Sequence, residues 1–183
     1  MKDRHPVEVL LNASADDILS AVQRGFRALV DVKGKLAEFF LERQLTELAK
    51  SGVITSFEWK DADGEPDFIL KVRGRDVILE CKNIRSRELF RQPAPGYKVE
   101  LQKTRNSKDE TPTRGYRIDD FDVLAVCLFN HTGKWEYLFI DTASLETRPD
   151  MAEFLKLMQR VPFGPDERWT ASLADVLSRV TSK

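Results

Sequence analysis

Histidine is nearly missing from this chain: 183 residues hold two, His5 and His131, far apart and without a Cys or His neighbour at zinc-ligand spacing. That disfavours a zinc deaminase or an HNH-type nuclease. Cysteine is as scarce. Cys81 and Cys127 lie in apolar, strand-like runs with no CxxC pair, where free thiols behave as small buried hydrophobes. With no secretory signal in view, they point to a reducing, cytoplasmic setting. No apolar run approaches the roughly 18 residues of a membrane span. A glycine-rich phosphate loop is missing too, so any ATP-driven motion falls to another protein. Internal repeats and low-complexity segments are absent, and the length suits one domain over residues 1–183.

Net charge is also lacking, at −1 overall, so no global positive field announces a polyanionic partner. The distribution is uneven, however. From Lys82 to Arg117 ten basic residues face four acidic ones, leaving this segment at +6 and the remainder at −7. A local basic face beside the rest of an acidic chain suits nucleic acid; the plainer reading is a solvated, mobile segment.

The apolar pattern alternates helices with strands. Ser14 caps a helix carrying Ile18, Leu19, Val22, Phe26 and Leu29, which ends near Val30 or runs on after a break around Gly34. Residues 33–50 form the clearest helix, with an apolar stripe through Leu36, Leu41, Leu45 and Leu48 and a cap at Gly52. Strands are expected at 53–59, 66–72, 76–82, 121–129 and 135–141. Residues 83–95 suggest a short helical piece, and 97–103 stays open between strand and helix. Asp150, Glu153 and Pro162 frame a helix over about 150–160, and Leu173, Val176, Leu177 and Val180 another over 170–180. Phe121, Trp135, Tyr137 and Phe139 read as packing residues, whereas Tyr97 and Tyr116 could stack, hydrogen-bond or pack at the surface.

One stretch does not fit a purely structural role. EPDFILKVRGRDVILECKN, residues 65–83, reads as two strands joined through Gly74, yet it carries Asp67, Glu80 and Lys82. Side chains alternate along a strand, so Glu80 and Lys82 share a face, Cys81 points to the other, and the hairpin can bring Asp67 beside Glu80. Phosphodiester hydrolysis needs an activated water and neutralisation of an anionic phosphorus centre, and a divalent cation on hard oxygen donors can supply both. Asp67, Glu80 and the Cys81 carbonyl offer such donors. Lys82 could orient or help deprotonate the water and stabilise developing charge. The bland alternative is a turn aspartate beside a solvent-facing Glu80–Lys82 pair.

Pro66-Asp67 followed by Glu80-Cys81-Lys82, separated by strand, turn and strand, resembles the catalytic core of the PD-(D/E)xK nuclease superfamily. Gly34-Lys35-Leu36-Ala37-Glu38 looks like the helix motif of its Holliday junction resolvase and Mrr-like members. The resemblance covers about residues 33–129 and implies an α/β (α+β) fold with a restriction endonuclease-like core. That core is a central mixed β-sheet flanked by helices in αβββαβ order, with the site on one edge, followed here by a strand and helices over 135–180. The order requires a helix somewhere between residues 98 and 120. Glu38 would be the third acid, contributing to metal binding directly or through water, with Glu42 its rival, and Gln102 would support the active site.

Mg²⁺ is the implied cofactor, with Mn²⁺ as an alternative, held by Glu38, Asp67, Glu80 and Cys81. DNA, duplex or branched, is the implied partner. Lys103, Arg105, Lys108, Arg114 and Arg117 suit backbone contacts, and Arg105 and Asn106 are also capable of reaching base edges. The expected function is a restriction-type endonuclease leaving 5′-phosphate and 3′-hydroxyl ends, acting as a homodimer or within a larger DNA-processing or defence assembly. A Holliday junction resolvase is the second reading, and a catalytically inactive nucleic-acid-binding or assembly module the third. RNA as substrate stays open.

Overall fold

A computed structural model describes residues 4–62, 64–102 and 115–182. The chain divides into two compact units, residues 1–36 and 37–183. In the first, α1 (Pro6–Leu11) begins with a capping box in which Glu8 reaches back to the His5 N–H. Helix α2 (Ala15–Arg24) begins behind Ser14, whose Oγ accepts the Asp17 N–H. No residue of either helix is buried. The break expected near Gly34 falls instead at Gly25, which caps α2. Helix α3 (Phe26–Lys50) then runs without interruption through Gly34, where no neighbour lies within 4 Å of an added Cβ. A lone glycine costs a helix only about 1 kcal/mol, which 25 residues of continuous hydrogen bonding can absorb.

The second unit is built on a mixed sheet. Its strands are β1 (Ser56–Trp59), β2 (Phe68–Val72), β3 (Arg75–Phe90), β4 (Gly96–Glu100), β5 (Val123–Cys127), β6 (Tyr137–Asp141) and β7 (Met158–Val161). The order β1-β2-β3-β4-β7 forms one path, with β5 alongside β3 and β6 alongside β5. Among the described residues only the β3–β5 pair is parallel.

Strand β3 is long enough to serve two antiparallel partners in turn. Its first part pairs with β2, and beyond Ile84 it pairs with β4.

Alternation along the strands makes two cores. Val77, Leu79 and Cys81 of β3 join Val123, Ala125 and Cys127 of β5 against Ala37, Leu41 and Leu45 of α3 and against Leu173, Val176 and Leu177 of α5 (Leu173–Thr181). Ile84, Leu124 and Val126 belong to the opposite core with Val99, Tyr116 and Leu155. The molecule is thus a mixed α/β fold with helices against its central sheet.

Three local expectations change. Residues 83–90 continue β3 rather than turning into helix, because Ile84 pairs with Val99 and Leu89 with Tyr97. Residues 97–100 are strand; in the span expected to hold a helix, 98–120, the described residues 98–102 and 115–120 form none, and 103–114 lie outside the described residues. The helix expected over about 150–160 does not form: residues 150–157 make turns and isolated bridges, and residues 158–161 are strand β7. There the open edge of β4 supplies four paired positions, while buried Gln159 bonds to both backbone groups of Glu146. Tertiary pairing overrides the local Asp150–Glu153 capping signal. Between β5 and β6 the chain makes one helical turn, α4 (Phe129–Thr132), closed by Gly133 at φ 70°.

Candidate active site

The hairpin carrying the acids is set by its turn. Arg73 and Gly74 both adopt positive φ, 51° and 78°, the conformation of a two-residue loop whose twist matches the strands it joins. Val72 then faces Arg75, and the register runs to Phe68 opposite Leu79. One step further, Asp67 falls opposite Glu80. There the ladder gives way: the Cys81 N–H donates to Asp67 Oδ2 at 2.7 Å. The N–H and C=O of a strand residue leave on the same edge, so the Cys81 carbonyl belongs to the Asp67 side as well.

Glu80 is the buried anchor, 4% exposed. Lys82 Nζ donates to its Oε1 at 2.5 Å, and the Tyr116 hydroxyl donates to the same oxygen. The Lys82 ammonium also stands 5.5 Å from the centre of the Tyr116 ring. Burial, the largest single influence, works against the ammonium, but Glu80, Tyr116 and Asp67 together outweigh it and lift the Lys82 pKa above the ordinary lysine value. Lys82 is therefore a cation near neutral pH, the state that can orient a water or stabilise negative charge. The Tyr116 phenol, pushed up first by burial, stays a proton donor.

Glu38 projects from the turn of α3 whose backbone the sheet holds directly. Tyr137 Oη donates to the Ala37 carbonyl at 2.6 Å, and Trp59 Nε1 donates to Glu38 Oε2 at 2.9 Å. Glu42, one turn on, is only partly buried. Asp67 feels the whole group: burial first, then the charge of Glu80, raise its pKa to about 7, with a smaller push from Glu38 and opposing pulls from Lys82 and the Cys81 N–H. The structure thus links Glu38, Asp67, Glu80 and Lys82 electrostatically, although they span 45 positions of sequence.

The donor set suits a hard divalent cation in kind: three carboxylates and a main-chain carbonyl. The elevated pKa of Asp67 reflects burial first and the neighbouring Glu80 charge second, both of which a bound cation would offset. It is not a ready-made cage. Among the described residues no group of three or more His, Cys, Asp or Glu is gathered as a metal cluster, and Lys82 lies on the Glu80 carboxylate.

Gln102 is half-buried and forms an isolated bridge with Gly115, next to Tyr116. The group that supports Glu80 in this structure is Tyr116, 36 residues from it in sequence, and no local pattern marks it. Arg117 bonds Asp119 at 3.3 Å and lies over the Phe154 ring at 5.3 Å. Lys103, Arg105, Asn106, Lys108 and Arg114 lie outside the described residues.

No protein-family model matches the chain, and no curated protein matches it. Among solved structures, a bacterial homing endonuclease, I-Ssp6803I, is similar at a TM-score of 0.49 and 15% identity, over 84% of this chain and 96% of that one. A likeness that faint carries no argument about activity, and function has to be read from the side chains.

Proposed function

We propose that the chain is a Mg²⁺-dependent DNA endonuclease, with Mn²⁺ as an alternative ion, hydrolysing phosphodiester bonds to 5′-phosphate and 3′-hydroxyl ends. The observation that carries this reading is the meeting of Asp67, Glu80 and Lys82 with Glu38 where the β2–β3 ladder ends. Asp67, Glu80, Glu38 and the Cys81 carbonyl would hold the ion, which when bound supplies Lewis acidity to the phosphate and lowers the proton affinity of a water. The Lys82 ammonium orients that water and offsets charge growing on the phosphoryl oxygens. Tyr116 acts as a positioning residue, fixing the oxygen of Glu80 that Lys82 also uses. Gln102 supports the site from the segment beside Tyr116.

Lys103, Arg105, Lys108, Arg114 and Arg117 serve backbone contacts, and Arg105 and Asn106 base edges. Cutting both strands calls for two sites, so a homodimer is the working assembly. Cleavage of labelled linear duplex, single-stranded DNA, four-way junction and RNA in Mg²⁺ tests the reading, with ligation of the products reporting their ends. Ligatable cuts in linear duplex define a restriction-type enzyme, and paired cuts confined to the junction a resolvase. Cleavage of none of the four, with DNA still bound, leaves a binding module and overturns the proposal.

A further inference from the structure

Strand β3 continues past the site into a second feature. Beyond Ile84 it carries Arg87, Glu88, Leu89 and Phe90, which with Arg91 just past its end, Lys98 of β4 and Phe163 after β7 line an open cleft of about 570 Å³. Arg87 to Phe90 follow Lys82 along the same strand, at most about 17–26 Å away at ~3.3 Å per residue, since the register against β4 shifts between Ile84 and Leu89. Beside it β4 lies close against β7: an added Cβ at Gly96 would stand 2.6 Å from the Val161 carbonyl oxygen.

The lining combines two chemistries that seldom share a solvent-facing surface. Phe163 is 53% exposed and Leu89 41% exposed. Tyr97 backs the Phe163 ring edge-on at 4.8 Å, and the Lys98 ammonium stands 5.2 Å from the centre of the Phe90 ring. Cations surround these apolar groups. Glu88 is already engaged by Arg85 and Lys98, while Arg87 and Arg91 are exposed and make no ion pair among the described residues.

A paired duplex presents phosphates and needs only the cations. Exposed aromatic and apolar side chains between cations match an unpaired strand, whose bases offer π-faces and whose backbone offers charge. We infer that this cleft binds an unpaired stretch of the nucleic-acid substrate. The inference rests on the nuclease reading and sharpens it: the substrate carries single-stranded character some base steps from the cleaved bond.

Fluorescence anisotropy in EDTA, where nothing is cut, measures binding separately from catalysis. The full chain is titrated into labelled dT12, rU12 and a 12-base-pair duplex at several salt concentrations, with melting curves confirming that each variant is folded. Phe163→Ala is expected to weaken dT12 binding roughly 5- to 100-fold and Phe163→Trp to retain it, with duplex binding changed far less. Arg87→Ala combined with Arg91→Ala should lower the salt slope for dT12 by about 1.4. Binding of dT12, alone or with rU12, supports the cleft. Binding of rU12 alone, or of duplex in preference to both single strands, overturns it, as does a change below about twofold in Phe163→Ala. The two readings fail separately: Phe163-dependent strand binding without cleavage of any substrate removes the nuclease and leaves the cleft, and cleavage without that dependence does the reverse.

Discussion

Asp67 holds its proton more tightly in the folded protein, with a pKa of about 7 against an ordinary value of 3.8. A carboxyl raised in this way favours the folded state while protonated. That advantage is complete below about pH 4, fades as pH rises towards 7, and is gone above it. In metal-free buffer, thermal melting should therefore show stability falling across this window. Asp67→Asn should flatten the fall and gain about 1–3 kcal/mol at pH 8 relative to the wild type, while losing at least about a thousandfold in cleavage. Melting curves from pH 4 to 8 check it, and an Asn variant no more stable at pH 8 contradicts it. Tyr116→Phe removes the hydroxyl that shares Glu80 Oε1 with Lys82. It should cost about 1 kcal/mol of stability and raise the Mg²⁺ concentration needed for half-maximal rate, with a smaller change in substrate KM. A KM rise alone would mean that the tyrosine touches substrate instead. Asp67, Glu80 and Lys82 were legible in the sequence because a hairpin is local and its register brings them together. Tyr116 was not, because the segment that returns it to Glu80 arrives through distant pairing.

At the scale of elements, two glycines separate backbone tolerance from backbone contact. Gly34 lies inside α3 in open space, so Gly34→Ala should stabilise the protein by about 0.5–1 kcal/mol. Gly96 faces the β7 backbone, so Gly96→Ala should force β4 and β7 apart and cost about 1–3 kcal/mol. Urea denaturation of both variants measures the contrast, and equal effects would contradict the observed β4–β7 approach. Helix α2, the β2–β3 hairpin, β5, β6 and α5 all follow from short-range patterns: a capping serine, a turn glycine, a buried apolar run, a helical spacing. The misread segments share a cause. The second half of β3 and residues 158–161 carry weak or helical local signals, and each becomes strand because β4 offers it an unpaired edge.

For the whole molecule, the leading feature is how unevenly charge is distributed along the chain. The surplus of basic residues from Lys82 to Arg117 begins at the site itself and runs past the cleft at the far end of β3. Among the described residues no helix is long and apolar enough to cross a membrane. Nucleic-acid affinity resting on that surplus should fall steeply with salt, since each neutralised phosphate releases counterions. The fold class and the hairpin acids could be read in advance because they depend on periodicity and register. The partition at residues 36 and 37, the two-partner strand and the aromatic cleft could not, since they depend on which distant segments meet. The central claim is that Asp67, Glu80 and Lys82 form a metal-dependent hydrolytic site. Its most direct test is the cleavage rate of labelled DNA substrates in Mg²⁺ and in EDTA, for the wild type, Asp67→Asn and Lys82→Ala. Mg²⁺-dependent cuts are expected from the wild type alone, with both variants folded and still binding DNA; cutting that persists in EDTA, or survives unchanged in either variant, would rule out such a site.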